Sequence, residues 1–346
     1  MYTKLQDAGS GAPGPERART RILILLTAAW FVAVAVIGCS TKQSQPETVR
    51  IGGVTQPIAV LVYIADEKGF FKRRGINVVT TDAHETGVPA VNALLAGTVD
   101  VATATEFVMV RKSFDNDNLR TFAQIANTHP IGLVARQDHG IEKFSDLKGK
   151  KVGVPRGSIS EFFLGSYLRH NDIRFSDVKM VDLAPSAMEE AFVSGSVDAV
   201  VIWEPFVTRI KERLGENAQI WPVQGRDDDY FLLITTEEFL RRSPAAVEKM
   251  LRALIDAESF TEKYPEEVRG IMDAKLRLRP GDAQLVLAKS TLKVRLDQGL
   301  LTIMEAEAQW MIRNNLTGKK RMPNYLDMID LKPLEAVKPE AVSIVH

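Results

Sequence analysis

Gly97-Thr98-Val99-Asp100 and Gly195-Ser196-Val197-Asp198 stand 98 residues apart. The same offset sets Ala93 against Ala191, Leu94 against Phe192 and Glu106 against Glu204. Each tetrapeptide follows a helix-period stretch and opens onto a β-rich run. Working outward from the first, residues 49–54 read as a strand. Pro57 opens a helix over 58–68, and Gly69 closes it. Residues 76–80 form a strand, 86–96 a helix and 99–103 a strand. Around the second tetrapeptide the order recurs: strand 151–154, helix 158–170, strand 178–182, helix 187–194, strand 198–202. Alternation of this kind predicts parallel strands with crossover helices. The fold class is therefore α/β, with two similar lobes.

This arrangement directs attention to the strand ends. In open α/β sheets, ligands settle outside the carboxyl ends of the strands, where helix N-termini present free N–H groups. Two lobes facing each other with those ends inward would hold a ligand in the cleft between them. The loops concerned are 55–56, 84–87, 103–106, 156–160, 184–186 and 203–205. The β-rich segments 123–136 and 229–236 flank the second copy and read as two crossings between lobes, hence a hinge. From Pro244 the chain turns helical, with helices expected over 244–264, 265–276, 280–294 and 302–316. Pro244, Pro265 and Pro280 separate them. This region is expected to pack on lobe 1. The division reads 49–130 with 234–330 as lobe 1, 131–233 as lobe 2, and 331–346 as a loose tail.

The N-terminus is a different material. Arg17, Arg19 and Arg21 precede an uncharged apolar run over 22–41. A basic flank before such a run reads as an export signal, and the run is also long enough for an anchor helix. Val36-Ile37-Gly38-Cys39 resembles a lipobox, and Cys39 is the chain's one cysteine. Residues 1–38 then read as a lipoprotein signal peptide, Cys39 as the lipidated residue and 39–48 as a polar linker. Either alternative leaves the body outside the cytoplasm, tethered to a membrane.

The 346 residues carry 44 Lys plus Arg against 44 Asp plus Glu, so there is no basic excess for nucleic acid. One cysteine precludes an internal disulfide framework or a multi-cysteine metal site. No phosphate-loop, dinucleotide or nucleophile-elbow motif occurs. His84-Glu85 lacks the second histidine of a zinc-protease motif, Val88 standing in its place. Neither a metal nor a cofactor is expected.

What remains is a set of polar and aromatic residues at strand ends. Ser158 and Glu161 have capping-box spacing, while Gly157-Ser158 also suits an anion cradle. Trp203 serves either as core or as an apolar cleft wall. Glu106 and Glu204 suit first helical turns, or accept bonds from a ligand amine. Thr86, Thr103 and Thr105 are helix caps or hydroxyl donors. Phe70-Phe71 and Phe162-Phe163 read as core.

Several runs together resemble the periplasmic solute-binding proteins of the nitrate/sulfonate/taurine type. They are residues 67–76 (EKGFFKRRGI), 146–154 (DLKGKKVGV), Gly157-Ser158, 195–199 and Trp203-Glu204-Pro205. The resemblance covers residues 49 to 316. It implies a type II two-lobe binding protein, with two crossover strands, that closes on a solute outside the membrane. It also implies an ABC permease as partner, a separate ATPase, no catalysis and a monomeric state. The ligand-binding residues it suggests are Gln56, Glu85, Thr86, Gly87, Thr105, Glu106, His129, Gly157, Ser158, Trp203 and Glu204. The solute is expected to be an alkanesulfonate, taurine or nitrate. The three acids Glu85, Glu106 and Glu204 suit a zwitterion or an amine-bearing heterocycle, such as a thiamine-precursor pyrimidine, better than a bare anion. A ligand-sensing module, or an enzyme using His84 or His129 as a base, are the alternatives from other classes.

Overall fold

The computed structural model describes Met1 and residues 46–53, 57–81, 86–129, 131–224 and 228–345. The expectations for the signal segment, Cys39, Gln56 and Glu85 lie outside the described residues.

Eleven strands in the described residues make two sheets. The first contains β1 (Glu47–Gly52), β2 (Ile76–Thr81), β3 (Val101–Thr105), β4 (Leu119–Thr128), β10 (Asp229–Thr236) and β11 (Ser290–Thr291), in the order β11-β4-β10-β3-β1-β2. The second contains β5 (Gly132–Arg136), β6 (Lys151–Val154), β7 (Lys179–Asp182), β8 (Ala199–Ile202) and β9 (Ala218–Pro222), in the order β7-β6-β8-β5-β9. In each sheet three strands are parallel, and the next one runs against them. That antiparallel strand is exchanged: β5 follows β4 directly yet belongs to the second sheet, and β10 returns from β9 to the middle of the first. The chain therefore passes between sheets at 129–131 and 223–228.

The helices of the repeat are α1 (Val60–Glu67), α2 (Gly87–Leu95), α3 (Glu106–Ser113), α4 (Ile159–His170), α5 (Pro185–Val193) and α6 (Phe206–Leu214). Both ends of α2 and α5 keep the 98-residue offset. The founding tetrapeptides explain why. Gly97 and Gly195 take φ of 72° and 76°, which glycine adopts without penalty. The next residue then reaches back to close the helix, Thr98 N–H to Ala93 carbonyl at 3.0 Å and Ser196 N–H to Ala191 carbonyl at 2.9 Å. The aspartates pin the following strand. Asp100 accepts from Arg50 N–H at 2.9 Å, and Asp198 accepts from Lys151 N–H at 2.8 Å.

Pro244 and Pro265 open α7 (Pro244–Lys263) and α8 (Pro265–Leu276) at their first turns. α7 and α8 pack on α1, whose Val60–Ala65 stretch is wholly buried between them and the sheet. The helix expected over 280–294 is shorter, α9 (Asp282–Ala288), because the chain then pairs with β4 as β11. α10 (Gln298–Arg313) begins four residues before its expected start, where the Asp297 side chain caps the N–H groups of Gly299 and Leu300. Residues 331–345 are not a loose tail. Leu331, Leu334 and Ile344 are buried, and Leu296 N–H bonds the Ala341 carbonyl. Apolar side chains spaced through this segment fasten it to the first sheet's helices.

An aromatic seam joins the two lobes. Trp310 of α10 meets Phe162 at 5.5 Å, Phe175 at 5.4 Å and Phe107 at 5.9 Å between ring centroids. Gly165 permits this approach, since a Cβ there would fall 2.3 Å from the Trp310 ring. Phe162 and Phe163 are core residues, as their apolar run implied.

Candidate functional site

A narrow cavity of about 60 Å³ lies between the sheets. The first lobe contributes Pro57, Ile58, Thr86, Gly87, Thr105, Val108, Thr128, Asp229, Val286 and Ser290. The second contributes Ser158, Ile159, Trp203 and Glu204.

Three of these contributions are helix N-termini: Thr86-Gly87 at α2, Thr105 at α3 and Ser158-Ile159 at α4. First-turn N–H groups lack partners within their own helix and carry partial positive charge, so these three positions favour an anion. The hydroxyls of Thr86 and Thr105 are not used as caps, which leaves them able to donate into the cavity. Ser158 caps nothing either. Its hydroxyl donates to the Pro155 carbonyl at 2.6 Å. The expected capping box is replaced by a longer reach, with Glu161 accepting from Gly157 N–H at 2.6 Å. Glu161 is fully buried and is flanked by Arg156 at 2.8 Å and Arg111 at 3.7 Å. The anion place at Gly157 is thus filled by the chain's own carboxylate, and Gly157 is not part of the cavity wall.

The opposite character comes from Glu204 and Asp229. Glu204 accepts from Thr208 N–H at 3.1 Å, and its other oxygen meets Lys289 Nζ at 3.2 Å. Asp229, at the start of β10, accepts from the Thr128 hydroxyl at 2.5 Å. Burial pushes the Asp229 carboxyl up to about 7, against the bonds from Thr128 and reinforced by the charge of Asp228. No Lys, Arg or His side chain lines the cavity among the described residues.

Two suggested residues sit elsewhere. Glu106 is buried beneath the cavity floor, accepting from Tyr230 N–H at 2.9 Å; Thr105 faces the cavity, and the first turn of α3 carries Glu106 away from it. Burial and the neighbouring Asp229 raise the Glu106 carboxyl well above its ordinary range. His129 is half-exposed and pairs with Asp228 at 2.6 Å. Thr128 occupies the inward position at the end of β4, so its successor faces out. Thr86, Gly87, Thr105, Ser158, Trp203 and Glu204 come together on the wall. Sequence reasoning missed Asp229 and Thr128, which meet only because β10 is exchanged into the first sheet. It also missed Val286 and Ser290, which reach the cleft from the C-terminal region and carry no local signal.

Two similar α/β lobes with exchanged strands and a cavity at their junction define the class of two-lobe binding folds. The chain matches the family model described as NMT1/THI5 like over residues 56–268, and it belongs to that family. A Brucella abortus relative is 28% identical over 212 residues, 59% of this chain and 63% of its own. The chain therefore spans less than two thirds of that relative's length. The taurine-binding periplasmic protein of Escherichia coli is 23% identical over 222 residues, 62% of this chain and 67% of that protein. Among solved structures, the alkanesulfonate-binding protein SsuA from Xanthomonas axonopodis pv. citri, bound to MOPS, superposes with a TM-score of 0.70 at 19% identity, covering 83% of this chain and 99% of that one. The desulfurization enzyme DSZB shares the fold at a TM-score of 0.60 and 17% identity, covering 85% and 99%. The fold is that of the periplasmic binding proteins.

Proposed function

We propose that this chain is the solute-binding component of an ABC importer, and that its solute is a small zwitterion of the aminosulfonate class. One observation carries this: the cavity is lined by three helix N-termini, two from the first lobe and one from the second, together with the carboxyl groups of Glu204 and Asp229. The N–H groups and the hydroxyls of Thr86 and Thr105 receive the anionic end, and the carboxylates receive an amine. Trp203 covers the apolar middle. A ligand touching both lobes stabilises their closure by its differential contact with the closed state. The solute is then delivered to a permease, and a separate ATPase supplies the energy. The protein acts as a single copy outside the cytoplasm, held to the membrane by a lipid on Cys39.

A second reading is an amine-bearing heterocycle. Trp203, Ile58, Val108, Ile159 and Val286 offer flat apolar contact that such a ring would use. A thermal-shift panel of taurine, alkanesulfonates, nitrate and aminopyrimidines on the full chain separates the two. A true solute at 100 times its Kd adds about 2.7 kcal/mol of stability. Trp203→Ala should weaken binding by about 1.5–3 kcal/mol, from lost apolar burial, and Ser158→Ala should weaken it less. Calorimetry giving unchanged affinity for both variants would remove the cavity from consideration.

A further inference from the structure

Resting on the zwitterion reading, we propose that Asp229 at the hinge, not Glu204, is the receptor for the solute's ammonium group, and that binding displaces a proton from this carboxyl. The geometry separates the two acids. Glu204 already has a cation, Lys289 Nζ at 3.2 Å, and a backbone donor, Thr208 N–H. Asp229 lines the same cavity, is 5% exposed, and is bonded by Thr128 alone, through its neutral hydroxyl and its backbone N–H.

Its surroundings disfavour the ionised form until a cation arrives. From α3, Glu106 stands near, and from α10 the fully buried Glu307 hydrogen-bonds it. From the crossing segment, Asp228 adds negative charge, itself paired with His129. Tyr230 follows in β10, with Asp297 beyond it. From the C-terminal region, Lys289 is committed to Glu204. Burial raises both Glu106 and Glu307 well above the ordinary carboxyl range, and the charge of Asp229 adds to both. Asp229 stands at about 7, where its proton is readily exchanged. An ammonium entering beside it selects the carboxylate, and the proton leaves to the buffer. The position matters as well, because Asp229 begins β10, directly after the chain has crossed between the sheets. A charge pair formed there sits at the pivot.

The test uses calorimetry on the full chain with taurine and with isethionate, which carries a hydroxyl in place of the ammonium. An aliphatic ammonium stays charged up to about pH 9 or beyond. Affinity for taurine should therefore rise from about pH 5.5 to about pH 8 as the receptor ionises, while affinity for isethionate should not. At the higher pH the preference for taurine is expected to be about tenfold or more, the scale of a charge-assisted bond. Near neutral pH, taurine titrations in two buffers of different ionisation enthalpy should reveal a released proton. Asp229→Asn should lose the preference yet still bind isethionate. Asp228→Asn should keep the preference at high pH and shift its loss to lower pH. If Asp229→Asn retains the preference, or if the preference does not vary with pH, Asp229 is only structural and the solute-binding role stands without it. If the wild-type chain binds neither sulfonate, the zwitterion reading and this inference fall together.

Discussion

Asp100 and Asp198 show how a repeated residue can be structural in both copies. Burial disfavours the Asp100 carboxylate, but bonds from the Arg50 backbone and guanidinium outweigh it and hold its pKa below the ordinary range. For Asp198 burial is likewise outweighed, by the Lys151 N–H and by His139. A carboxyl lowered on folding stabilises the protein above its unfolded pKa, and that contribution is lost as pH falls through the folded value. Asp229, Glu106 and Glu307 act in the opposite sense. Asp229 costs stability as pH climbs from about 4 through about 7, and the raised Glu106 and Glu307 act in the same direction as they ionise. Stability should therefore peak between the two regimes. Asp100→Asn and Asp198→Asn should each cost about 1–3 kcal/mol at neutral pH, by loss of charge-assisted bonds. Urea unfolding across pH would show the acid limb flattened in both. An unchanged limb would mean that these aspartates only decorate the turn.

At the scale of elements, the repeat was legible because its signals are local. A glycine ends a helix, an aspartate pins the next strand, and the spacing carries from one lobe to the other. The C-terminal region was less legible. Pro244 and Pro265 mark helix starts, but nothing near Pro280 shows that residues 290–291 will be taken up by β4. Nor does any local pattern show that Leu334 and Ile344 are buried. The site was half legible for the same reason: Thr86, Thr105, Ser158, Trp203 and Glu204 follow strand ends, whereas Asp229, Val286 and Ser290 arrive by tertiary exchange. The seam between α4 and α10 is another such contact. Gly165→Ala places a methyl against Trp310 and should cost about 1–3 kcal/mol, the usual penalty of overpacking. Trp310→Phe should restore part of that loss. Thermal unfolding of the two variants and their double mutant measures this coupling, and simple additivity would show that the pair does not touch in solution.

At the scale of the whole molecule, four ion pairs among the described residues bridge the lobes: Arg111–Glu161, Lys289–Glu204, Arg279–Glu189 and Arg209–Asp282. Two of them tie the α9 region to α5 and α6 on the far side of the cleft. Arg279–Glu189 is partly exposed, so it is screened by salt and worth about 0–1 kcal/mol, whereas Arg209–Asp282 is largely buried and is screened much less. Glu189→Gln combined with Asp282→Asn should shift the population toward separated lobes. Small-angle scattering should show a larger radius of gyration in the variant, and high salt should move the parent toward it. Identical scattering curves would assign closure to the aromatic seam alone.

The exchanged strands have a consequence for how the molecule is made. A chain synthesised or translocated from its N-terminus has every strand of the second sheet once Pro222 has emerged. At that moment the first sheet still lacks β10, the strand that joins β4 to β3. The later half of the repeat is therefore free to mature first, while the earlier half waits, open down its middle, for a segment that arrives after its neighbour is complete.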